Sequence, residues 1–306
     1  MAPVPPGTPP HPHKAPAMPP ATAPLLALAL LAPPAPAAEA KVETRFVQVA
    51  PPGKAGAPPQ RSPGQARVVV LLHGFRPHPF VDANALHPDL SSWEEPNSAM
   101  VKALGRDADV YALGYSQSRP VDEVARAPAL TRYVESLRAA GYTEVVLIGY
   151  SAGALVARYY VEDRGDRCGV TKVIQVCPPN GGTSWGKLTA SVRQSQEPFL
   201  ASLTKEARQA AQRERAGRLI PAGVEFVCVV GAFGRAGDGL VRYDCQWTRD
   251  LQLQGVPAVL LHTPHVTAMR SKTVAQRLAD LAREPQPRWG AAQVEAVRAK
   301  IVGRDN

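Results

Sequence analysis

From residue 67 onward the chain alternates between two kinds of segment. Short runs that are apolar throughout occupy 66–75 (ARVVVLLHGF), 108–115 (ADVYALGY), 144–151 (EVVLIGYS), 170–179 (VTKVIQVCPP), 225–232 (EFVCVVGA) and 256–263 (VPAVLLHT). Between them lie stretches whose apolar residues recur at helical spacing. Examples are 98–105 (SAMVKALG), 121–140 with Val121, Val124, Leu130, Val134 and Leu137, and 154–165 (ALVARYYVEDRG). After the last apolar run, Val266, Met269, Val274, Leu278 and Leu281 predict one face of a final core helix. Strands without polar alternation, separated by helices, predict a parallel sheet covered on both faces, an α/β fold. Residues 41–49 (KVETRFVQV) predict an earlier strand. Residues 180–222 interrupt the rhythm as a long polar insert that contains a charged helix (EARQAAQRERAGRL). No internal repeat is visible.

Composition changes the picture at the front of the chain. Of 32 prolines in 306 residues, 18 fall within 1–66. Residues 25–32 read LLALALLA, and a small-residue stretch leads to Ala38-Glu39-Ala40. That order predicts a signal peptide over 1–40 and an exported, periplasmic or secreted protein. A disordered Pro/Ala-rich tail on a cytoplasmic protein is the alternative, and Met18 is an alternative start. No apolar run reaches the ~20 residues of a membrane-spanning helix. The formal charge of +9 lies wholly beyond residue 40 and is scattered. It describes a solvated basic surface and not a nucleic-acid footprint, while permitting attraction to anionic surfaces or substrates. Cys168, Cys177, Cys228 and Cys245 form no C-x-x-C pair, which argues against a zinc ribbon. Cys168 and Cys177 flank one strand, ~30 Å when extended, and should not bond to each other. Other pairings stay open.

In parallel sheets chemistry gathers at the carboxyl ends of the strands. The run at 144–150 ends in Gly149-Tyr150-Ser151-Ala152-Gly153 and opens a helix. A sharp strand-to-helix turn of this kind needs small residues on both sides and lifts a serine hydroxyl above the sheet. Serine needs a base, and the base an acid. Only His262 and His265 follow Ser151. His262 sits at the strand edge, where a packed or capping role is expected, so His265 in the loop beyond is the candidate base. Asp238, between two glycines past the 225–232 strand, is the candidate acid, with Asp244 as runner-up. Oxyanion donors are expected at the N–H groups of Ala152 and Phe75, where Gly74 lets the chain approach the site. His73 is expected to support that loop, and His78 and His87 read as loop residues without metal-ligand spacing. H-E-x-x-H, P-loop and G-x-G-x-x-G patterns are absent, and no cofactor is called for.

With these residues in place the chain resembles the α/β-hydrolase superfamily, in particular its lipase and esterase branch. The resemblance is carried by His73-Gly74-Phe75, the Gly149–Gly153 elbow, Asp238-Gly239-Leu240-Val241 and His265, and covers roughly 65–284. Pro178-Pro179-Asn180-Gly181-Gly182-Thr183 is similar to the turn that leads into the lid of bacterial triacylglycerol lipases and GPI inositol-deacylase-like hydrolases. Position 150 is Tyr, where many such lipases carry His. The resemblance implies a domain over 67–284 with a 180–222 lid or cap. A strand and Pro-rich linker (41–66) would precede it, and a link and helix (285–306) would follow. It implies a serine hydrolase of carboxylic esters, with lipid-like esters leading, no cofactor, and peripheral contact with a lipid interface. A thioesterase, or a non-catalytic module that binds lipid or protein on the same fold, are the alternatives.

Overall fold

The computed structural model describes residues 41–77, 87–184 and 194–305. The expected leader (1–40), His78 and residues 185–193 of the 180–222 insert lie outside the described residues. Seven strands form the sheet: β1 (Thr44–Ala50), β2 (Arg67–Leu72), β3 (Asp109–Tyr115), β4 (Glu144–Tyr150), β5 (Lys172–Val176), β6 (Glu225–Ala232) and β7 (Ala258–His262). Their spatial order is β1-β3-β2-β4-β5-β6-β7. All neighbours are parallel except β1, which runs antiparallel to β3 along the edge.

The helices are α1 (Ala99–Leu104), α2 (Val121–Arg126), α3 (Pro128–Ala139), α4 (Ala152–Arg164), α5 (Glu197–Ala201), α6 (Lys205–Glu214), α7 (Tyr243–Gln246), α8 (Arg249–Leu253), α9 (Lys272–Arg283) and α10 (Ala291–Ile301). The single helical stretch predicted over 121–140 is two helices. Pro128 has no N–H to continue α2, so it opens α3 at its first position instead. Val266 departs from the predicted core face. It belongs to a 3₁₀ turn, His265–Arg270, and is 62% exposed, while α9 begins only at Lys272.

Strand residues alternate between two cores, as a pleat requires. Val68, Val70 and Leu72 face one layer, with Val124 of α2, Leu137 of α3, Leu155 of α4 and Val294 of α10. Val69 and Leu71 face the other, with Met100 of α1 and Leu278 of α9. The end of α9 is fixed by a buried cation. Lys172 Nζ donates to the carbonyls of Leu281, Ala282 and Glu284, complementing the negative end of the helix dipole.

The order β3-β2-β4 makes β2 the point where the chain reverses its winding direction. From β2 it steps outward to β3, then returns past β2 to β4 and proceeds to β7. A crevice opens above the carboxyl ends of β2 and β4, the expected place for a ligand in such sheets.

Candidate active site

Ser151 closes β4 and caps α4 with φ 51° and ψ −121°, a left-handed conformation that costs a non-glycine residue about 1–3 kcal/mol. The glycines around it explain how the turn is built. A Cβ on Gly149 would lie 2.4 Å from the Gly153 carbonyl oxygen, and one on Gly153 would lie 2.3 Å from that of Leu72. The elbow therefore brings β4, α4 and the end of β2 closer than any side chain permits. Gly74 is equally constrained, since its Cβ would fall 2.7 Å from that of Ser151.

Three side chains from three strand ends meet here. His265 Nε2 lies 3.0 Å from Ser151 Oγ, and His265 Nδ1 lies 2.7 Å from Asp238 Oδ2. All three residues are buried. The other oxygen of Asp238 accepts the N–H groups of Leu240 (3.0 Å) and Val241 (2.7 Å), which aims the carboxylate at the imidazole. The His265 N–H donates to the Asp238 carbonyl at 2.8 Å, so main chains as well as side chains are linked. The acid loop is tied to β6 by Gln246, whose amide bonds both the N–H and C=O of Gly231 and the carbonyl of Val241.

The end of β2 is held as firmly. His73 stacks on Tyr115 at 4.4 Å, the Tyr115 hydroxyl donates to the His73 carbonyl, and Gln117 donates to the Gly74 carbonyl at 2.9 Å. Gly74 thus rests against Ser151 with Phe75 beside it on the pocket wall. Ala152 is the first residue of α4, where N–H groups have no acceptor within the helix.

The other candidates are placed elsewhere. Asp244 is exposed on α7 and pairs with Arg242 at 3.2 Å. His262 is the last residue of β7 and is exposed, neither packed nor capping as expected. His87 is exposed outside the pocket. The four cysteines are free thiols in buried positions, and burial pushes their pKa values up, that of Cys245 to about 11.

Several site residues carry no mark in the sequence. The Tyr150 hydroxyl donates to the His265 carbonyl at 2.6 Å, and its ring lies 5.2 Å from the imidazole. Trp93, from the loop before α1, meets the Tyr150 ring edge-on at 6.2 Å. Cys177 follows β5 with φ 50°, and its Sγ lies within 4.8 Å of the Asp238 carboxylate and the His265 ring nitrogen. Tyr150 stood inside a recognised motif, but nothing in the sequence says where its hydroxyl reaches.

Above Ser151 and His265 opens a cavity of about 500 Å³. Its walls are largely apolar: Trp93, Leu200 of α5, Leu203, Leu240, Val241, Val266 and Met269. Arg76 and Arg270 also line it, and no carboxylate does among the described residues. The described part of the insert is clamped to α4. Glu162 receives Arg158 at 2.7 Å and Arg215 at 2.8 Å, and Arg215 stacks over the Tyr159 ring at 4.0 Å.

Comparison with known proteins agrees with this architecture. The fold is shared with the mature lipase BlEst2 of Bacillus licheniformis (TM-score 0.57, 11% identity, 79% of this chain and 98% of that one). It is also shared with phospholipase PlaB of Legionella pneumophila (TM-score 0.55, 13% identity, 79% of this chain and 64% of that one). No curated protein sequence matches. The profile of the alpha/beta hydrolase family matches residues 69–302, from within β2 to β7 and including all three linked residues, and the chain belongs to that family.

Proposed function

We propose that the protein is a serine hydrolase of carboxylic esters, acting through Ser151, His265 and Asp238. The observation that carries this reading is the unbroken hydrogen-bonded line from the Asp238 carboxylate through the imidazole to Ser151 Oγ, at the floor of an apolar cavity. His265 Nε2 takes the hydroxyl proton as Oγ attacks the substrate carbonyl. Asp238 holds Nδ1–H toward itself and stabilises the imidazolium that forms. The tetrahedral oxyanion is received by the N–H groups of Ala152 and Phe75, preorganised donors that the glycines bring beside Oγ. Collapse expels the alcohol, protonated by His265, and leaves an acyl-serine. A water deprotonated by His265 then releases the acid. No cofactor takes part.

The apolar walls favour an acyl chain over a small polar acyl group, and the insert, through Leu200 and Leu203, shapes that pocket. Lipid-like esters are the leading substrate class. The test is turnover of p-nitrophenyl esters of graded chain length, matched thioesters included, with fluorophosphonate labelling of wild type and Ser151→Ala. Turnover and labelling are expected for wild type and neither for the variant. A folded wild-type protein that takes no label and turns over no ester would identify a binding module instead.

A further inference from the structure

The catalytic cavity holds two positive charges that the proposed chemistry does not use. Arg76 directly follows Phe75. Its main chain is fixed on both sides, its N–H donating to Gln117 Oε1 at 2.9 Å and its carbonyl accepting from Gln196 Nε2 at 2.9 Å. Arg270 closes the 3₁₀ turn that begins at His265. Both line the cavity and neither is in an ion pair among the described residues. Arg76 Nη1 is shielded from solvent without a hydrogen-bond acceptor, a state that costs a charged donor more than a neutral one. Glu94, whose charge couples to that of Arg76, forms no ion pair with it. Glu94 is fully buried, one of its oxygens accepts from the Ser91 N–H at 2.6 Å and the other has no donor. Desolvation drives Glu94 toward its neutral form more strongly than Arg76 opposes it. Among the described residues no ion pair takes up the Arg76 charge, and its side chain lines the cavity.

We propose that Arg76 and Arg270 form a subsite for an anionic group on the substrate, a carboxylate or a phosphate, so that the preferred esters are anionic amphiphiles. This rests on the ester-hydrolase reading and narrows its substrate class. An apolar wall binds the chain, and guanidinium groups, suited to two-pronged recognition of carboxylate and phosphate, bind the charged end. Arg76 directly follows Phe75, and Arg270 ends the 3₁₀ turn that begins at His265. An anion bound there would fix the ester relative to Ser151.

Two matched substrate pairs test the subsite and separate the sources of the anion. For an acyl-side carboxylate, p-nitrophenyl hydrogen glutarate is compared with p-nitrophenyl valerate. For an alcohol-side phosphate, dihexanoyl glycerophosphate is compared with dihexanoylglycerol. The kcat/KM ratio of anionic to neutral ester is expected to be at least about ten-fold in one pair, the discrimination one charge-assisted hydrogen bond supplies. The pair that shows it names the source. Arg76→Gln and Arg270→Gln should each lower that ratio several-fold, the corresponding lysine variants should keep part of it, and added salt should reduce it. Wild-type ratios of one or below in both pairs overturn the subsite, whether or not the variants fold. So does a high ratio that neither glutamine variant moves. Turnover of neutral esters without anionic preference leaves the ester-hydrolase reading intact, whereas no turnover of any ester, with no fluorophosphonate labelling, removes both.

Discussion

Replacing Gly74 by alanine tests whether the loop after β2 serves the reaction or merely borders it. The new methyl would stand 2.7 Å from Ser151 Cβ and 3.1 Å from the Tyr150 carbonyl oxygen, where carbon atoms in contact normally keep about 3.5–4.0 Å. About 1 Å of movement is required. The elbow cannot supply it, because Gly149 and Gly153 already hold β4, α4 and Leu72 at the limit of approach. The loop must withdraw, and it carries the Phe75 N–H with it. An oxyanion donor displaced by 1 Å is largely lost, which costs about 10²–10³ in kcat. KM should change far less, since the apolar walls stay in place. Overpacking itself should cost about 1–3 kcal/mol of stability, leaving the protein folded at 25 °C. The assay is steady-state hydrolysis of the best p-nitrophenyl ester beside a thermal melt. Gly223→Ala serves as the control, because a Cβ there meets nothing within 4 Å. A folded Gly74→Ala protein with kcat within about three-fold of wild type would refute the donor role given to Phe75, since one such donor is worth far more.

Asp238→Asn should lower kcat by about 10⁴, because the amide oxygen must serve the Leu240 and Val241 N–H groups and the NH₂ then faces Nδ1, forcing the tautomer that cannot accept the serine proton at Nε2; a bell-shaped or sigmoid pH–rate profile at wild-type height would exclude this. Tyr150→Phe removes the donor to the His265 carbonyl and should cost about 1–3 kcal/mol of stability, the penalty for an unsatisfied buried carbonyl; a thermal melt beside the wild type checks it. Glu162→Gln removes the anion shared by two guanidinium groups, but Arg158 keeps Asp250 and Arg215 keeps Asp163, so the cost should be about 1–3 kcal/mol, seen as a fall of several degrees in Tm.

Much of the fold was legible because a parallel sheet writes itself as uninterrupted apolar runs, and each of the six runs is a strand, with the antiparallel edge strand expected at 41–49 as the seventh. The line of Ser151, Asp238 and His265 was legible for a related reason. Strand ends are where such residues must stand, and glycine patterns at Gly149, Gly153 and Gly239 mark the turns. What stayed hidden depends on contacts between segments far apart in sequence. Trp93 belongs to a short 3₁₀ turn with no periodicity in the sequence, and joins the pocket edge-on to Tyr150 at the end of β4. The clamp of Arg158, Glu162 and Arg215 left no sign in the sequence, since helical spacing shows which residues share a face but not that two segments meet. The helix break at Pro128 was visible in composition yet masked by apolar spacing that continues on both sides of it.

The order of strands also explains the strained cysteine. Ser151 stands at the end of β4, and Asp238 and His265 follow β6 and β7, so β5 lies between Ser151 and its two hydrogen-bonded partners. The chain leaving β5 must pass beneath the imidazole without blocking it. Two features make room. Cys177 turns left-handed at φ 50°, while its N–H still extends the sheet by donating to the Val229 carbonyl at 2.9 Å. On the neighbouring strand Gly231 has no side chain, and a Cβ there would lie 2.6 Å from Cys177 Sγ and 2.9 Å from Asp238 Cβ. The sulfur therefore fills the volume that the missing side chain leaves, directly beside the carboxylate. Its burial pushes the thiol well up, keeping it protonated and uncharged next to Asp238. A thiolate at that position would repel the carboxylate and compete with it for the imidazole. A strained backbone and an absent side chain thus serve one end, keeping a single negative charge behind His265.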